Sequence, residues 1–175
     1  MSDAPGTARD EAAMRLCAAC GMCCSGVMFH SVRLQPGDSA RELAALGLKV
    51  KRGTHIPQPC PAHRGSCCGI YGRRPARCRL FVCRQIRAVA AGSVSEAAAL
   101  EKIREAMRRV ERVRDLFRLA GDAREHKAFA TRHEAIFTGP LDPSPPAARL
   151  RADLASAMAG LERILTENFR IATVP

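Results

Sequence analysis

Tryptophan is absent from this 175-residue chain, tyrosine occurs once and phenylalanine six times, so aromatic residues make up 4% of it. That scarcity argues against the aromatic stacking platforms on which single-stranded nucleic acids bind. No stretch reaches the ~18 apolar residues of a membrane-spanning helix, and the opening MSDAPGTARDEAAMR lacks a basic start followed by an apolar run. The expectation is a cytoplasmic protein without a membrane partner. Lysine is also sparse: four residues against 24 arginines make up the basic side of a formal net charge of +11. An arginine bias of that kind does not establish a nucleic-acid partner, and metal-bound thiolates would lower the charge further. No internal repeat long enough for a solenoid is present.

Cysteine, by contrast, is plentiful and confined to one half: all nine lie between positions 17 and 83. A chain of this length can bury a core without staples, so the cysteines do more than compensate for size. In a reducing compartment clustered cysteines are more often metal ligands or redox thiols than disulfides, and an odd total argues against a fully paired framework. The stretch CAACGMCC places Cys17, Cys20 and Cys23 at the C-x2-C-x2-C spacing with which a loop aims three sulfurs at one metal centre. Cys24 follows directly. Consecutive side chains diverge, so Cys23 and Cys24 suit two neighbouring metals better than one tetrahedral ion. A second group, CPAHRGSCCGIYGRRPARCRLFVC, adds Cys60, Cys67, Cys68, Cys78 and Cys83.

The composition changes near residue 92. Residues 1–12 read as a disordered lead-in, 13–92 as a cysteine-rich metal-binding region, and 93–175 as a helical region packed with that head as one domain. Within the head, Val27 to Leu34 suits a strand, and Asp38 to Leu46 a helix stopped by Gly47. Leu48 to Pro59 reads as a strand fragment that runs into the loop bearing Cys60. Pro75 opens a helix through Cys78, Phe81 and Ile86 to Gly92. Ser93 and Glu96 have capping-box spacing before an amphipathic run to Gly121. Further helices are expected over Ala123 to Phe137 and from Pro145 to about Phe169. The fold class is mainly α: a cysteine-rich head with short irregular strands on a C-terminal helical body.

The two cysteine groups together resemble the CxxCxxCC cysteine-cluster family, described as zinc- or iron-chelating proteins, over roughly residues 15–85. The family's cysteine-proline pair, Cys-x-Ile-Tyr segment and Arg-Pro-x-x-Cys-Arg segment match Cys60 and Pro61, then Cys68, Ile70 and Tyr71, then Arg74, Pro75, Cys78 and Arg79. Cys67 falls one place off the pattern and reads as an extra thiol. The resemblance implies a metal centre without naming the metal or a reaction.

The candidate metal ligands are Cys17, Cys20, Cys23, Cys24, Cys60, Cys68, Cys78 and Cys83. Were Cys78 and Cys83 on one helix they would lie about 140° apart around its axis, so sharing an ion would need a break or a second metal. Tyr71 and Ile70 are expected to pack over the site, and Arg73, Arg74, Arg77, Arg79 and Arg84 either to offset thiolate charge or to form a solvated face. His63, His126 and His133 read as surface residues, with His63 able to substitute for a cysteine. The three-cysteine run with a remote fourth ligand, Cys60 and its proline being one option, favours an iron-sulfur cluster or iron over zinc, whose structural sites use paired short knuckles.

Three functions fit these residues. The first is an iron or iron-sulfur module that carries electrons, senses metal or assists a protein partner. The second is a structural zinc protein whose basic surface contacts nucleic acid or another protein; the lack of a recognisable finger counts against it. The third, redox cycling of Cys23 with Cys24 or Cys67 with Cys68, ranks last, because adjacent cysteines form strained bridges. No catalytic base, nucleophile or substrate is identifiable.

Overall fold

The computed structural model describes residues 8–65, 67–140 and 142–171. Along the chain run α1 (Ala8–Cys20), β1 (Ser31–Arg33), α2 (Ala40–Ala45), β2 (His55–Pro57), β3 (His63–Arg64), β4 (Cys67–Cys68), α3 (Ala76–Leu80), α4 (Arg84–Ala90), α5 (Glu96–Leu119), α6 (Phe129–Thr138) and α7 (Pro145–Asn168). The protein is mainly α, with two two-stranded antiparallel ribbons, β1 with β2 and β3 with β4. Among the described residues no helix is long and apolar enough to cross a membrane.

The helical body forms because α5 carries one apolar stripe. Ala99, Ile103, Ala106, Val110, Val113 and Phe117 recur every three or four residues and are all buried. Its cap is Ser95, whose hydroxyl accepts from the Ala98 amide at 3.2 Å. The expected Ser93 box therefore lies two residues too early: Ser93 instead donates to the Ala88 carbonyl and closes α4. On α7, Leu154, Leu161, Ile164 and Leu165 face the same core, which Phe169 completes. Leu16 of α1, Met22, Val27 and Met28 join it from the head, so head and body share one core. A smaller cluster of Leu43, Leu48, Ile56 and Ala62 supports the ribbons.

Several boundaries differ from the sequence expectation. The lead-in is helical from Ala8, which puts Cys17 and Cys20 on a helix rather than a loop; residues 1–7 lie outside the described residues. The strand expected over Val27 to Leu34 contracts to β1, and α6 begins only at Phe129; from its first turn the buried Arg132 reaches back to the buried Asp122, which Arg124 also binds. The helix expected from Pro75 to Gly92 is two helices with an extended break at Phe81 to Cys83.

Gly26 seals the seam between head and body. Its carbonyl accepts from the Phe129 amide at 2.9 Å, its φ is +78°, and a Cβ there would come within 3.0 Å of the Ala128 Cα. Gly26→Ala is expected to cost roughly 1–3 kcal/mol, from left-handed strain plus a backbone clash. Denaturant unfolding checks this; an unchanged midpoint would show that the seam yields freely.

Candidate metal centre

Helix α1 ends in a glycine-dependent reversal that presents the first four cysteines. The Gly21 amide donates to the Cys17 carbonyl at 3.0 Å with φ +60°, and the Gly21 carbonyl accepts from the Cys24 and Ser25 amides at 3.0 Å each. Cys17 and Cys20 thus sit on the last turns of α1, with Cys23 and Cys24 in the turn beyond. His63 packs onto this turn: a Cβ on Gly21 would meet its Nε2 at 3.0 Å, and that nitrogen is buried without a hydrogen-bond partner.

Backbone bonds bring the distant cysteines to the turn. The Cys60 amide donates to the Cys24 carbonyl at 2.8 Å, and the His63 amide to the Cys60 carbonyl at 3.0 Å. In the β3–β4 ribbon His63 pairs with Cys68 and Arg64 with Cys67. Successive strand residues point to opposite faces, so Cys67 is turned away from Cys68. It is exposed. Asp38 anchors α3, with Oδ1 accepting from the Ala76 amide and Oδ2 from the Gln35 amide, each at 2.8 Å. Cys78 lies on that helix.

The break after α3 swings Cys83 to the start of α4 and against the body. Here the Arg84 amide donates to the Phe169 carbonyl at 3.0 Å, its guanidinium to the Glu167 carbonyl at 2.6 Å, and Gln85 Nε2 to the Asn168 carbonyl at 2.7 Å. These satisfy the carbonyls left over at the end of α7, and the Arg84 charge complements the helix dipole. Arg84 is therefore a structural clamp, whereas Arg74 is the arginine whose charge reaches thiols, Cys17 and Cys78. Arg74 is held over the Tyr71 ring at 3.6 Å and donates through Nε to the Tyr71 carbonyl at 2.9 Å. Tyr71 is exposed beneath it rather than roofing the site, while Ile70 packs on the smaller core.

The structure draws the eight candidate cysteines into two sets by mutual electrostatic reach. Cys17, Cys20, Cys23 and Cys83 would each repel every other member of their set as thiolates. Cys24, Cys60, Cys68 and Cys78 do likewise. The remote cysteine within reach of the three-cysteine run is Cys83, whereas Cys60, one option for that place, lies within reach of Cys24. Across the sets the reach passes through Cys24 alone, to Cys23 and Cys17.

Burial dominates the acidity of these thiols. It pushes Cys20 and Cys24 up to about 12, Cys78 up to about 11, and Cys23 well above its ordinary value, with neighbouring thiolates adding to each. At Cys83 and Cys60 burial also wins, although nearby backbone amides pull the other way. Without metal, burial thus favours the neutral form of these six thiols. Soft, closely grouped thiols are the donor set that zinc, iron and iron-sulfur centres take, so the residues present fit such a group. Among the described residues no three Cys, His, Asp or Glu side chains are yet closed around a common point, so metal entry must draw the sulfurs inward.

Two contributors escaped the sequence reading. Asp38 lies 40 residues before Cys78 and acts through its carboxylate on α3; only a Gly-Asp-Ser turn marks it. Met28 has its sulfur 4.0 Å from that of Cys23, a contact no spacing rule signals. A cleft of about 270 Å³ opens beside Cys60, with His63 and Arg114 on its walls. His133, expected at the surface, is half-buried: its ring lies against Phe137 with centroids 4.5 Å apart, and its Nε2 is covered.

A family model, CxxCxxCC, described as "Putative zinc- or iron-chelating domain", matches residues 16–106, just over half of the chain. No curated protein and no solved structure matches it.

Proposed function

The chain belongs to the CxxCxxCC family of zinc- or iron-chelating domains, and from that premise we propose that its cysteines hold iron, as an iron-sulfur centre, in a module that carries electrons for a protein partner. The observation that supports this most is the company kept by the C-x2-C-x2-C run: Cys17, Cys20 and Cys23 stand with one remote cysteine, Cys83. Three closely spaced cysteines plus a distant fourth is the ligand pattern of ferredoxin-type clusters. Cys20 and Cys23 pack on the apolar core, which excludes water from one side, while Cys17 alone of the eight is exposed and gives electrons a short route out. When bound, such a group supplies one-electron chemistry. The chain's own part is to hold the thiolates, shield them and offset their charge with Arg74.

Anaerobic purification with an absorption spectrum and assays for iron, zinc and acid-labile sulfide tests this. A brown protein with iron and sulfide is expected. A colourless protein with zinc and no sulfide would overturn the iron reading and leave chelation intact. Cys67→Ser is expected to keep wild-type metal content and Cys20→Ser to lower it sharply; equal contents in the two variants would contradict the ligand assignment.

A further inference from the structure

We infer that the eight cysteines form two separate metal sites that share a wall: Cys17, Cys20, Cys23 and Cys83 at one, and Cys24, Cys60, Cys68 and Cys78 at the other. The inference rests on the thiolate-chelation reading above and specifies how many centres there are and which sulfurs each owns.

Chain geometry makes the division. Cys23 and Cys24 are neighbours, their Cα atoms ~3.8 Å apart, yet their environments differ. Cys23 is packed with Cys20 against the core of the helical body. Cys24 offers its carbonyl to the Cys60 amide at 2.8 Å, and Cys60 packs on the smaller core of the head. The ribbon then sets Cys68 opposite His63, whose amide is bonded to Cys60. At the other end, Cys78 and Cys83 part company at the break between α3 and α4. Cys78 stays with Asp38 in the head, and Cys83 joins the body through the Arg84 and Gln85 clamp on α7. Two chain segments, residues 17–24 and 78–83, thus contribute to both sites.

Four thiolates complete a tetrahedral shell on one ion or the corners of one cluster, so eight divided in this way leave no donor short and none spare. Cys67, turned to the other face of its strand, falls outside both. Arg74, which reaches Cys17 of one site and Cys78 of the other, offsets the negative charge that both shells carry.

Cobalt(II) titration of the full-length metal-free protein, followed by thiolate-to-cobalt absorption and native mass spectrometry, counts the sites. Two equivalents are expected for the wild type, and one each for Cys20→Ser and Cys60→Ser. The double variants decide ownership. Cys20→Ser with Cys83→Ser removes two ligands of one site and must keep one equivalent. Cys20→Ser with Cys60→Ser strikes both sites and must keep none. Circular dichroism identifies any variant that does not fold, and Cys78→Ser then replaces Cys60→Ser. Saturation at one equivalent, or loss of both equivalents in a folded single variant, would overturn the two-site inference while leaving chelation standing. No cobalt binding by the folded wild type would overturn both.

Discussion

Replacing Asp122 with alanine is expected to destabilise the fold by about 3–5 kcal/mol, the cost of stranding a buried charge. The side chains of Asp122 and Arg132 are 1% and 4% exposed, with Arg132 Nε donating to Asp122 Oδ2 at 2.7 Å. Arg124 donates to Oδ1 through its Nε at 2.6 Å and its amide at 3.1 Å. The Arg132 guanidinium lies 4.2 Å from the centre of the Phe117 ring, in the middle of the core. Removing the carboxylate leaves that cation dry and unpaired. The pair Asp122→Ala with Arg132→Met should cost less than Asp122→Ala alone, because no charge remains to be stranded. Burial by itself would raise the Asp122 pKa, but the bonds from Arg132 and Arg124 outweigh it and hold the carboxyl below its ordinary value. Its contribution is therefore intact above a pH of about 4 and is lost as pH falls further, through the depressed value. Urea unfolding of the single and double variants measures the effect. A single-variant loss under about 1 kcal/mol would mean that water reaches the cation.

The knot also illustrates what could be read from sequence. Periodicity revealed α5 because its stripe is uninterrupted from Ala99 to Phe117, and Pro145 marked α7 because proline is tolerated at a helix start. Gly47 at φ +84° ended α2 as a glycine stop should. Arg132 was invisible, since its partner lies ten residues away across a turn and only tertiary packing decides that both are buried. The same holds at the cysteines. Local spacing grouped Cys17, Cys20 and Cys23, and the family resemblance set Cys67 apart as an extra thiol. The placement of Cys83 depends on carbonyls at the end of α7, more than 80 residues on. The helix break at Phe81 to Cys83 had only a geometric hint, the 140° offset, because ARCRLFVCRQIR carries no proline or glycine to announce it.

The metal-free protein is expected to lose stability steeply above pH 9, and the loaded protein to resist. In an unfolded chain the thiols ionise near their ordinary value of 9.0, whereas the fold holds Cys78 protonated to about 11 and Cys20 and Cys24 to about 12. Between those limits the unfolded state has released protons that the folded state retains, so the balance tips toward unfolding as pH rises. The contribution of these thiols is thus fully present below about 9 and disappears as pH climbs through 11 to 12. Metal reverses the sign of the problem. A bound thiolate has already given up its proton, and metal capture at neutral pH should release about one proton per ligand. A loaded site then has nothing left to titrate in the alkaline window. Thermal unfolding from pH 7 to 11, with and without metal, should give a falling curve for the stripped protein and a nearly flat one for the loaded protein. The divergence should be smaller for Cys20→Ser, which removes one of the thiols responsible. Parallel curves would mean that the thiols titrate as if exposed, and that the head opens to water before any metal arrives.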